Sequence, residues 1–229
     1  NDKNFLGTAP IGKLLLKLSI PTVIAQLINM LYNVVDRIYI GHIPGEGSLA
    51  LTGVGVCMPI IMIVTAFAAL ISSGGAPRAS MGKQDNKSAE QILGNCFSLQ
   101  IVVSIVLTVV LLIWNKDLLM AFGASKNTLG YATDYMHIYA LGTLFVQLTL
   151  GMNAFITAQG FTTTSMVSVL IGAICNITLD PVFIFVFNMG VKGAALATVL
   201  SQAISTIWVV VFLSGKKTQL HLLKKYMDL

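Results

Sequence analysis

Charged residues along this chain come in clusters separated by long, mostly apolar intervals. The intervals run from Lys17 to Asp36, Glu46 to Arg78, Glu90 to Lys116, Asp134 to Asp180 and Lys192 to Lys216. Most exceed the roughly 20 apolar residues that a helix needs to cross a hydrocarbon core about 30 Å thick. Divided at polar and turn-rich breaks, they predict six transmembrane helices near residues 14–41, 50–76, 91–114, 134–159, 164–187 and 192–213. The interval from Asp134 to Asp180 is too long for one crossing, and Gln159-Gly160-Phe161-Thr162-Thr163-Thr164 supplies an interfacial turn within it. Asn188-Met189-Gly190 does the same before the last helix. The fold class expected is an all-α membrane protein, a bundle of six transmembrane helices over 1–213, with 214–229 as a cytoplasmic tail or the start of a linker.

Composition agrees. Of the 229 residues 55% are hydrophobic and only 10% charged, with a mean hydropathy of +0.83, whereas a soluble domain carries about 25% charged residues. A water-facing surface cannot be built from so few charges. The sign of the charges then sets the orientation, because basic residues are retained on the cytoplasmic side. With the amino terminus inside, the cytoplasmic set is Lys3, Lys13, Lys17, Arg78, Lys83, Lys87, Lys216, Lys217, Lys224 and Lys225, against Arg37, Lys116, Lys126 and Lys192 outside. This predicts a multi-pass protein of the cell's inner (plasma) membrane with both termini in the cytoplasm. The lipid bilayer is its first partner, and the net charge of +5 calls for no nucleic acid.

Polar residues within the spans carry the functional signal, since a carboxylate in a bilayer is costly unless it faces protein or water. Gln26, Asn29, Asn33 and Asp36 fall within about 80° of arc on the first helix, an amide and carboxylate face that must look into the protein. The fifth helix repeats the pattern with Asn176 and Asp180 at i, i+4, and the sixth offers Thr198, Gln202 and Ser205 on a common face. Such oxygens can replace the hydration shell of a hard cation such as sodium. Two carboxylates forced close together cannot both hold their charge cheaply, so the pair is equally a candidate proton carrier. The plainer reading makes Asp36 interfacial and Asn176 and Asp180 a helix cap or glue.

Pro21, Pro59 and Pro181 lie within predicted spans, and each removes a backbone hydrogen bond at a point where a helix can bend. Pro181 directly follows Asp180, which couples that bend to the carboxylate. Cys57, Cys96 and Cys175 sit inside spans without metal-ligand spacing and are expected to pack as small apolar residues. No Ser-His-Asp, His-Glu-x-x-His or paired-Cys motif is found, so an enzyme is not expected, nor a cofactor.

These residues resemble a known family. Asn176-Ile177-Thr178-Leu179-Asp180-Pro181, followed by Gly190-Val191-Lys192-Gly193-Ala194-Ala195-Leu196-Ala197-Thr198 and Ser201-Gln202, resembles the fifth and sixth helices of multidrug and toxic compound extrusion (MATE) transporters. The first-helix pattern of Pro21, Gln26, Asn33, Asp36 and Ile40-Gly41, continuing into Ala50-Leu51-Thr52-Gly53-Val54-Gly55, resembles it too. The likeness covers roughly residues 10 to 215. It implies one lobe of a two-lobe exporter of organic cations or other amphipathic drugs, exchanged for sodium or protons, with the coupling-ion site in the amino-terminal lobe. It also implies that Asp36, Asn176, Asp180 and Thr198 bind the cation, with sodium a possible metal there. By the same resemblance Pro21 is the point where the first helix bends and Asn153 lines the cavity; Gln26, Asn33 and Gln202, on the polar helix faces, are further candidates for that lining.

Such transporters have twelve helices, twice the number predicted here. The chain is therefore read as an amino-terminal lobe, a fragment or half of an assembly, whose partner is a second six-helix lobe in the same full-length chain or in a second copy. Its first residue, Asn rather than Met, points the same way. Two alternatives stand beside the exporter. A lipid-linked-sugar flippase of the same superfamily would favour a large cationic cavity, for which only Arg37 is a candidate, and a non-transporting membrane scaffold would leave the oxygen-rich faces unexplained.

Overall fold

The computed structural model describes residues 10–81, 86–215 and 217–227. Helix α1 (Ile11–Gly41) opens on Pro10, whose fixed φ suits a helix start and whose carbonyl accepts the Leu14 amide at 3.0 Å. It ends where the His42 ring meets the Ile38 carbonyl at 2.7 Å. The turn into α2 (Gly47–Met81) is so tight that a Cβ on Gly47 would collide with the carbonyl of Gly41. Next come α3 (Asn86–Ile113), a short α4 (Asn115–Ala121), α5 (Leu129–Leu141), α6 (Thr143–Ala158), α7 (Thr162–Pro181) and α8 (Val191–Ser214).

Five of these helices, α1, α2, α3, α7 and α8, are long and apolar enough to cross a membrane, and the pair α5 and α6 meets the same criteria as a sixth, broken span. The chain is a multi-pass helical membrane protein. The span expected near 134–159 is made of two helices, α5 and α6, bent by 58° at Gly142. The bend coincides with a close approach: a Cβ on Gly142 would occupy the space taken by the Val199 side chain of α8.

Helix α7 departs from regularity as well. Pro181 has no amide hydrogen to give to the ladder, and the chain answers with a π-helical turn over Val182–Val186, in which the Phe187 amide reaches back to the Val182 carbonyl at 2.9 Å. Asn188 and Gly190 then take left-handed φ values of 56° and 55° to reverse the chain into α8.

Without a hydrophobic drive between helices in lipid, close packing and polar contacts hold the bundle together. The Thr149 and Thr206 hydroxyls meet at 2.8 Å, and Thr206 also donates to the Phe145 carbonyl at 3.0 Å, joining α6 to α8. One apolar cluster, including Ile40, Val54, Cys57, Met136, Ile184 and Ala195, lies where α1, α2, α5 and α8 meet. A second, including Leu93, Phe155, Ile156 and Leu213, occupies the other end. Residues 217–227, expected as a tail, fold back onto that second cluster through Leu220 and Leu222. Helix α1 lies at the edge of the bundle, packed chiefly against α7. Its outer face presents Leu27, Met30, Leu31 and Val34 to the surroundings.

Candidate functional site

Packing α1 against α7 brings their carboxylates together. Asp36 is 7% exposed and Asp180 fully buried, and the two side chains interact directly. One turn before Asp180, the Asn176 side-chain nitrogen lies 3.5 Å from Asp180 Oδ1 and 3.3 Å from Thr198 Oγ1 on α8. The four residues Asp36, Asn176, Asp180 and Thr198 therefore form one cluster drawn from three helices. Tyr135 of α5 closes its side, in contact with Thr198 and stacked on Tyr139 with ring centres 6.3 Å apart.

The donor set decides what such a cluster can hold. Asp36 Oδ1, Asp180 Oδ2 and Asn176 Oδ1 are buried oxygens with no hydrogen-bond partner in the protein. Carboxylate, amide and hydroxyl oxygens suit a hard cation, and two adjoining carboxylates suit one shared proton. Among the described residues no group of three or more His, Cys, Asp or Glu is placed to chelate a metal ion.

Next to the carboxylates a cavity of about 50 Å³ is lined by Asn29, Tyr32, Asn153, Asn176, Thr198 and Gln202, among others. Asn153 donates to the Ser168 hydroxyl at 3.0 Å, while its Oδ1 and Gln202 Oε1 lie buried with no protein partner. Two predicted lining residues fall elsewhere. Gln26 is exposed at the edge of the α1 stripe. Asn33 turns its amide back to the Asn29 carbonyl of its own helix at 2.7 Å, and neither lines this cavity. On α1 the lining is made by Asn29 and Tyr32 instead. Tyr32 could have been found from the sequence, since it precedes Asp36 by one helical turn.

Pro21 sits inside an unbroken α1, and Pro181 leads into the π-turn. Arg37, although next to Asp36 in sequence, is exposed and donates to Met58 Sδ at 3.1 Å on α2.

A family model, MatE, matches residues 21–182, from Pro21 through Asp36, Asn176 and Asp180 to the start of the π-turn. The chain belongs to the MatE family. Multidrug export protein MepA of Staphylococcus haemolyticus is 28% identical over 218 residues, which are 94% of this chain and 48% of that protein. MepA of Staphylococcus aureus is 25% identical over 91% of this chain and 46% of its own length. A solved structure of a multidrug resistance MATE family transporter in an outward-facing conformation superposes with a TM-score of 0.89 at 25% identity, over all of this chain and 51% of the other. This MatE chain thus spans about half the length of the curated relatives it matches, and its fold is that of one lobe of a two-lobe MATE transporter. MatE proteins are transporters, not enzymes.

Proposed function

We propose that this chain is the ion-coupled lobe of a multidrug exporter that exchanges sodium or protons for organic cations or other amphipathic compounds. One observation carries the reading: carboxylates on two different helices, Asp36 and Asp180, share a buried cluster with the oxygens of Asn176 and Thr198. The export activity of the MepA relatives supports the transport half of the proposal.

The mechanism follows from electrostatics. With both carboxylates charged, their repulsion acts between α1 and α7. A sodium ion or proton between them removes it and draws the two helices together. An ion shifts such an equilibrium only by its difference in affinity for the two shapes, and α1 can change shape at Pro21, where its backbone lacks one hydrogen bond. That change alters the cavity beside Asn153 and Gln202 and so links ion occupancy to drug release. A second six-helix lobe would complete the drug cavity. Both termini of this lobe face the cytoplasm in this reading, as the distribution of Lys and Arg supports.

The test is transport in inside-out vesicles carrying this lobe together with a second six-helix lobe. An imposed sodium or proton gradient should drive uptake of an organic-cation dye with the native protein and not with Asp180→Asn. Undiminished gradient-driven uptake by Asp180→Asn contradicts the proposal.

A further inference from the structure

The chain beyond α8 does not leave the bundle at once. Gln159, at the end of α6, has its amide oriented by donation to the Phe155 carbonyl at 3.2 Å. Its Oε1 then accepts from Thr218 Oγ1 at 2.8 Å, the Gln219 amide at 2.9 Å and the Leu220 amide at 3.0 Å. The two backbone amides match the two lone pairs of this carbonyl, and the Thr218 hydroxyl, with one hydrogen to give, lies between it and the Leu220 carbonyl at 3.0 Å, so the acceptor is saturated by a single segment. Further on, the His221 amide donates to Glu90 Oε1 at 3.2 Å and the Leu222 amide to the Leu213 carbonyl at 2.9 Å. The Ser98 hydroxyl donates to the Met227 carbonyl at 2.6 Å.

Apolar packing reinforces these bonds. Leu220 and Leu222 are 5% and 7% exposed, within the same cluster as Leu93, Phe155 and Leu213. A Cβ on Gly94 would collide with the Tyr226 carbonyl, so α3 is shaped at Gly94 to receive the segment.

We propose that residues 217–227 form a cooperative clasp, latched by Gln159, that binds the ends of α3, α6 and α8 to one another. These partners are spread over three helices far apart in sequence, so one short segment fixes their spacing. Two of the clasped helices, α6 and α8, carry Asn153, Thr198 and Gln202. The clasp therefore holds that wall of the cavity rigid, opposite the wall supplied by α1. The proposal does not rest on the ion site.

Cooperativity is what separates a clasp from a row of independent contacts. Amide hydrogen exchange, followed by mass spectrometry on the protein in lipid nanodiscs, reads it directly. Gln159→Leu should accelerate exchange at least about tenfold across 217–227, including the amides of Leu222 and Tyr226 that Gln159 does not touch. Ser98→Ala, which removes one bond at the far end, should accelerate the amides of Gln219 and Leu220 several-fold. If Gln159→Leu fails to insert, the Ser98→Ala arm decides alone. Acceleration confined to the altered end, or absent, overturns the clasp.

Discussion

Asn176 stands between Asp180 and Thr198, its side-chain nitrogen 3.5 Å from one and 3.3 Å from the other, so a single amide joins the carboxylate of α7 to the hydroxyl of α8. It leaves the Asn176 oxygen buried and without a protein partner, beside the free oxygens of Asp36 and Asp180. Removing this amide keeps both carboxylates but disperses the donor set. In Asn176→Ala the thermal midpoint should no longer rise when sodium is added or the pH lowered, whereas the native protein is stabilised by whichever ion it binds. Thermal unfolding in detergent at several sodium concentrations checks this, and an equal rise in both proteins contradicts a binding role for Asn176.

A close approach of Gly142 to Val199 marks the bend between α5 and α6. Gly142→Ala places a methyl group where Val199 already sits, and overpacking of that kind costs about 1–3 kcal/mol. Val199→Ala vacates the space, so the double variant should recover part of the lost stability. A double-mutant cycle measured by denaturant unfolding gives the coupling directly. Strict additivity of the two changes would mean that the two side chains do not compete for that space.

Pro21 leaves α1 continuous here, yet it removes a backbone hydrogen bond in the middle of a helix packed mainly on α7. Pro21→Ala should stabilise α1 and weaken its response to ions. Spin labels on α1, one near each end, should report two distance distributions exchanged by sodium or acid in the native protein. In Pro21→Ala a single distribution is expected under all conditions, and retention of both would remove Pro21 from the mechanism.

Much of this architecture is legible in the sequence because the bilayer imposes strict rules. Charge-free intervals of sufficient length had to cross it, and an intramembrane carboxylate such as Asp180 had to face inward. Periodicity placed Asp36 on one face of α1 and Asn176 with Asp180 on one face of α7, so their convergence needed only the packing of the two helices. The break at Gly142 was hidden, because a lone glycine in an apolar run does not reveal that Val199, 57 positions away in sequence, will press against it. Gln26 and Asn33 show the limit of a helical stripe: it names a face, while the neighbouring helix decides which residues of that face meet the cavity. The docking of residues 217–227 depended on the Gln159 carbonyl, whose partners lie about 60 residues on, and no local pattern announces a contact of that range.

In the proposed mechanism Asp36 and Asp180 form one shared ion site. Infrared spectra of the protein, recorded while pH and sodium are titrated in the native chain, Asp36→Asn and Asp180→Asn, test it most directly. A protonated-carboxyl band should grow as the pH falls and be lost or displaced in either variant, with suppression by sodium if sodium is the coupling ion. A band unchanged by both substitutions would contradict the shared site and reduce the two aspartates to structural residues.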